Sequence, residues 1–275
     1  MYAWILPTIL AAMGVLLALR YRRHLAERRA WHAEYWVYLP TETVPTQEAI
    51  MERLVRGARD VRPVPAEVAL LLSDVRLDIA VVRAARNRVH FSLENFGLDV
   101  ISDLGEHAVE LARPCPLFVR LKFASASPVP DKRHVRFLSM AALAYADLGD
   151  ARLVRDLPAD RFWTPDAFRS ALNGGRHAGD SGAHVTVRWR DTPDGGTVSL
   201  RGFEKIGLGP MQTVESPADA RTLLRELLEA AAEIIWQTEQ VPETLEIERY
   251  GDRFQVLLRP RRDRTEIRVM RHHGA

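Results

Sequence analysis

Gly179-Asp180-Ser181-Gly182 sets a serine among small residues, the kind of segment that can present a nucleophile. Serine chemistry also needs a histidine base oriented by a buried aspartate, and no spacing in the chain supplies that pair. Nine histidines raise the question of a metal: His24, His32, His90, His107, His134, His177, His184, His272 and His273. No two stand four apart on an expected helix with a glutamate between them, so no helical zinc motif forms. The run from Gly202 to Gly209 has glycines around Lys205. It lacks the Gly-Lys-Ser/Thr ending that cradles phosphate and the dinucleotide spacing, so it reads as a bulge or tight turn. Asp156 with Asp160, and Asp99 with Asp103, are carboxylate pairs. Glycoside hydrolysis would need such a pair set across a cleft, which sequence cannot define. The residues therefore name no catalytic site, no cofactor and no metal.

Composition narrows the field a little further. A net charge of +2 over 275 residues gives no field that argues for nucleic acid. Lysine appears only at Lys122, Lys132 and Lys205, so arginine carries nearly all the positive charge, a pattern that GC-rich coding explains. Cys115 stands alone, which rules out an intramolecular disulfide and a cysteine-based zinc site. The arginine-rich stretch from Arg259 to Arg264 reads as a charged turn between edge strands.

The elements that must position all this begin with an uncharged stretch from Tyr2 to Leu19. As a helix it rises about 27 Å, close to a hydrocarbon core of about 30 Å. Trp4, Ile5, Leu6, Ile9, Leu10, Val15, Leu16, Leu17 and Leu19 would face lipid. Arg20, Arg22, Arg23, Arg28 and Arg29 follow at once, and nothing basic precedes. That order is the reverse of a cleavable signal peptide. It places the N-terminus outside and the body in the cytoplasm, at the inner membrane. The same arginines suit anionic headgroups. From Arg20 the chain is expected to continue as a helix to Trp36.

Behind the anchor the patterns alternate between strand and helix. Tyr35–Leu39 reads as a strand and Thr46–Arg59 as a helix, with Val61–Pro65 as a linker. Leu77, Ile79 and Val81 alternate, as do Val89, Phe91 and Leu93, which predicts a hairpin turning over 84–88. Helices are expected over Asp99–Arg113, from Val135 to Tyr145, and from Thr164, with strands at Leu117–Phe123 and Leu153-Val154. After the glycine-rich Asn173–Gly182, Asp194-Gly195-Gly196 predicts a second hairpin. Ser216-Pro217-Ala218-Asp219 has capping-box character and opens a helix with Leu223, Leu227, Leu228, Ala231 and Ile235 on one face. Leu245–Tyr250, Phe254–Arg259 and Thr265–Arg271 close the chain as strands.

Two stretches resemble a loose group of uncharacterised bacterial proteins, some of accessory or immunity type. One is His134–Leu172, with Ala141-Ala142-Leu143-Ala144-Tyr145, Val154-Arg155-Asp156 and Arg161-Phe162-Trp163. The other is Leu200–Leu208. The resemblance brings no activity and no catalytic residue. Gly179–Gly182 also resembles the nucleophile segment of trypsin-like serine proteases. The chain, however, has long helices in place of that family's barrels and lacks its alanine-alanine-histidine-cysteine segment, so proteolysis is not expected.

The expected architecture is α+β: an N-terminal transmembrane helix over 1–20, then a juxtamembrane helix and first strand-helix unit over 21–60. Two α/β lobes with mostly antiparallel sheets follow, over 61–175 and 183–275. The expected function is a membrane-tethered cytoplasmic module that binds another protein, with no nucleic-acid partner. The alternative is a membrane-anchored hydrolase.

Overall fold

Nearly every residue from Ala33 to Leu39 is buried on one side of the backbone or the other, which is the signature of a strand packed on both faces. In the computed structural model, which describes residues 31–57, 76–92, 104, 107–125, 129, 131–174, 181–238, 241–261 and 264–272, Trp31–Leu39 forms β1. The expected helix to Trp36 is thus corrected from Trp31 onward. Ala33, Tyr35, Val37 and Leu39 enter one core, while Trp36 and Tyr38 enter another on the opposite face. A helix with a single apolar stripe could not satisfy both. The anticipated membrane segment and its arginines, Trp4 to Arg29, lie outside the described residues. Among the described residues, no helix is long and apolar enough to cross a membrane.

The first lobe is a five-stranded sheet in the order β2-β3-β1-β4-β5. Its strands are β2 (Arg76–Arg83), β3 (Leu117–Ser125), β1, β4 (Leu153–Asp156) and β5 (Arg161–Trp163). Every pairing is antiparallel, with Tyr35 opposite Leu121 on one side and Asp156 on the other. The expected hairpin after β2 does not form: β2 pairs with β3 instead. Residues Arg88–Phe91 make a 3-10 turn. The reason is packing. Phe91 drops into the cluster around Tyr38 and Phe118, and Tyr38 donates to the His90 carbonyl at 3.1 Å, while Val89 is left exposed.

Helices α1 (Gln47–Gly57), α3 (Arg133–Leu148) and α4 (Pro165–Gly174) cover one face of this sheet; α2 (His107–Ala112) closes the other. Helix α3 ends where Gly149 donates to the Tyr145 carbonyl at 3.0 Å. Helix α4 begins behind Thr164, whose hydroxyl accepts from the Ala167 amide at 3.2 Å. Of the helix expected over 99–113, residues 99–103 lie outside the described residues.

The second lobe begins with the single turn α5 (Ser181–His184). Its six-stranded sheet runs β6-β7-β8-β11-β10-β9. The hairpin of β6 (Thr186–Thr192) and β7 (Gly195–Arg201) is the one its turn residues predict. Along β7, Val198 and Leu200 are buried and Thr197, Ser199 and Arg201 point away. Helix α6 (Arg221–Gln237) covers the buried face with Leu224, Leu227, Leu228, Ala231 and Ile235. The expected capping box is not made. A short 3-10 turn at Ala218–Ala220 precedes α6, and no side chain caps it. The short β8 (Met211–Thr213) runs parallel to β11 (Thr265–His272), the one parallel pairing among the described strands. β9 (Thr244–Arg249) and β10 (Asp252–Pro260) complete the sheet. The fold is α+β with two mostly antiparallel sheets.

Candidate functional site

The lobes meet through a 3-10 turn, Phe203–Ile206, held between Gly202 and Gly207, both in left-handed backbone conformations. Glycine is required at Gly207 for two reasons: its φ is +77°, and a Cβ there would sit 2.3 Å from Nε1 of Trp31. From the same turn the Lys205 side chain enters the first lobe, where it has no exposed surface. Its ammonium pairs with the Asp156 carboxylate, donates to the His184 carbonyl at 3.0 Å and lies 5.3 Å from the centre of the Tyr35 ring. Beside it, the His134 ring meets the Lys205 carbonyl at 2.7 Å and stacks on Phe123. Burial pulls the Lys205 ammonium down and pushes the Asp156 carboxyl up, each partly opposed by the other's charge. The Tyr35 hydroxyl is raised well above its usual range by burial and then by the nearby Asp156 charge. The cluster has unusual protonation energetics, yet Tyr35, Asp156, Lys205 and His184 are all sealed from solvent. Their arrangement clamps one lobe to the other.

The accessible concavity lies next to this clamp. A groove of about 980 Å³ runs between the turn before β5 and the hairpin β6–β7, with α6 forming its far wall. Arg161, Arg188, Arg190, Arg201, Arg221 and Arg225 line it, against the carboxylates Asp160, Asp191, Glu229 and Glu233. Each of those carboxylates is already engaged. Asp160 accepts from Arg188 at 2.8 Å, Asp191 from the Trp189 indole at 2.7 Å, Glu229 from Arg225 at 2.8 Å and Glu233 from Ser181. The groove is left with a formal surplus of two positive charges. Its donors are guanidinium groups, which bind carboxylate or phosphate in a fork, and the hydroxyls of Thr186, Thr197 and Ser199.

Residues expected to suggest chemistry are dispersed by the fold. Ser181 does reach the groove, but Glu233 accepts from both its hydroxyl, at 2.5 Å, and its amide, at 3.1 Å. That carboxylate holds the start of α5. His184, in the same turn, stacks on Trp236 and faces Tyr35 at 3.4 Å, so no imidazole stands between serine and carboxylate. Gly179 and Asp180 lie outside the described residues. Asp156 and Asp160 occupy separate surroundings, one on buried Lys205 and one on Arg188; Asp99 and Asp103 lie outside the described residues. His32 meets Glu34 and His107 meets Glu110, both at 3.0 Å. His24, His177 and His273 lie outside the described residues. Among the described residues, no three metal-ligating side chains gather. At the arginine-rich turn, Arg261 pairs with Glu266 at 3.1 Å and Arg264 donates to Gln212 at 3.2 Å, bonds that dress the sheet.

Against protein families, curated proteins and solved structures, the chain has no match.

Sequence reasoning missed the groove because its arginines come from four separate segments: β5, β6, β7 and α6. A signal was present in Val187-Arg188-Trp189-Arg190. Alternation there places Val187 and Trp189 against the second core and turns both arginines to the opposite face.

Proposed function

We propose that the chain is a binding or accessory module that engages another protein, with its N-terminal segment holding it in a membrane and its two-lobed body at the cytoplasmic face. The groove between the lobes carries the reading. It is open to solvent, lined by six arginines interleaved with four carboxylates and several hydroxyls, and the buried charges of the clamp beside it are not part of its lining. The uncharged Tyr2–Leu19 stretch and the arginines after it support the tether and its orientation. For Ser181 to serve a hydrolase as nucleophile, its hydroxyl would have to leave Glu233, which it and the Ser181 amide hold at the start of α5.

The test is membrane fractionation with crosslinking. Full-length protein should resist alkaline carbonate and crosslink to a defined partner. A variant with Leu10→Arg and Leu16→Arg should wash off and lose most of that crosslink. Release of the unaltered protein by carbonate, or labelling of a C-terminal tag from outside the cell, would overturn the tether. No partner captured by the unaltered protein would overturn the module.

A further inference from the structure

The wall of the groove contains a sheet edge. β6 has one neighbour, β7, and its other side faces the groove. An edge strand offers a row of backbone N–H and C=O groups that another extended chain can pair with. Toward Thr186 the edge is crowded by the first lobe, where Arg188 binds both the carboxylate and the carbonyl of Asp160. From Trp189 to Thr192 the backbone makes no backbone hydrogen bond to a described residue outside the β6–β7 hairpin.

We propose that this groove takes an extended acidic peptide segment of the partner, added as a strand along β6 with its carboxylates directed to Arg190 and Arg201. The proposal rests on the binding-module reading. Two observations select the occupant. First, Arg188, Arg190 and Arg201 share the outward face of the β6–β7 hairpin, with the hydroxyls of Thr197 and Ser199 among them. Arg201 stands opposite Thr186 and Arg190 opposite Thr197, so the two residues are four strand positions apart along the hairpin, about 13 Å of backbone. Acidic side chains at alternate positions of an added strand repeat about every 7 Å and fall on that row. Second, the positive charge is broken up by Asp160, Asp191, Glu229 and Glu233. That interleaving repels a continuous polyphosphate and suits a peptide whose acidic residues alternate with neutral ones.

The experiment uses the full-length protein in detergent micelles and a fluorescein-labelled peptide in which Glu alternates with Val and Thr. Anisotropy should show saturable binding that weakens as salt rises. R190E/R201E, which alters two exposed side chains, should weaken binding about tenfold or more in protein that circular dichroism shows to be folded. Methylating alternate backbone amides of the peptide should abolish binding, because strand pairing uses those N–H groups. Equal binding of a Gln-for-Glu peptide, or indifference to amide methylation, would overturn the proposal. So would phosphatidylglycerol vesicles binding in place of the peptide with the same R190E/R201E sensitivity. If R190E/R201E still crosslinks the native partner fully, the groove assignment fails and the module stands. If the unaltered protein captures no partner, the module itself fails.

Discussion

Replacing Lys205 by methionine keeps most of the buried stem and removes the ammonium that faces Asp156 across the lobe junction. The carboxylate then stays fully buried, with the Ala159 amide at 3.3 Å still directed at it. Breaking a buried pair by deleting one partner costs about 3–5 kcal/mol, because the surviving charge is left uncompensated. The lost bond to the His184 carbonyl lies within that figure. Asp156→Asn should cost a similar amount, leaving the ammonium stranded instead. The double variant should return to within about 2 kcal/mol of the parent, since neither charge then remains.

Acidity separates the two single variants. In Lys205→Met, Asp156 binds its proton more tightly folded than unfolded. Its carboxyl therefore favours folding below the ordinary aspartate range, and that advantage is lost as pH rises through the raised value. In Asp156→Asn, Lys205 is held below its ordinary value. Its contribution is present at alkaline pH and is lost as pH falls through the lowered value. Urea denaturation followed by circular dichroism between about pH 5 and pH 9 should show opposite trends, each limited to about 1.4 kcal/mol per pH unit. Deficits under about 1 kcal/mol, or trends of the same sign in both variants, would refute the clamp.

Gly207→Ala and Gly251→Ala form a controlled pair, since both glycines have positive φ but only Gly207 has a neighbour in the way. Urea midpoints should show a cost of about 1 kcal/mol at Gly251 and at least about 2–3 kcal/mol at Gly207, where the added Cβ meets Trp31. The Cys115 thiol is buried and pushed up to about 11 by desolvation. It should resist an aromatic disulfide reagent at neutral pH in the native protein and react fully in urea, as absorbance at the released thiolate would record.

What could be read along the chain was local. The β6–β7 hairpin follows from Asp194-Gly195-Gly196, and α6 from its leucine stripe, because turn chemistry and helical period act over a few residues. Trp31–Trp36 misled for the opposite reason: a strand buried on both faces shows no alternation, and its nearness to arginines suggested a helix. Val89 and Phe91 alternate like a strand, yet Phe91 is buried by Tyr38 and Phe118, residues far along the chain. β5 and β8, three residues each, are too short to carry a period. The burial of Lys205 was illegible too, because it depends on Asp156 and His184 arriving from elsewhere.

The placement of β1 has a consequence for synthesis. This first described strand cannot join its sheet until Leu117–Ser125 has been made, nor be flanked on both sides until Leu153–Asp156 follows. Until then a ribbon of tyrosine, tryptophan, valine and leucine emerges with nothing to lie against, the kind of segment that pairs with the wrong neighbour. The ribosome thus sets a waiting time on the central strand of the first lobe. Slowing translation between Leu39 and Leu117 would lengthen that wait, and the fraction of chains lost to aggregates should rise with it.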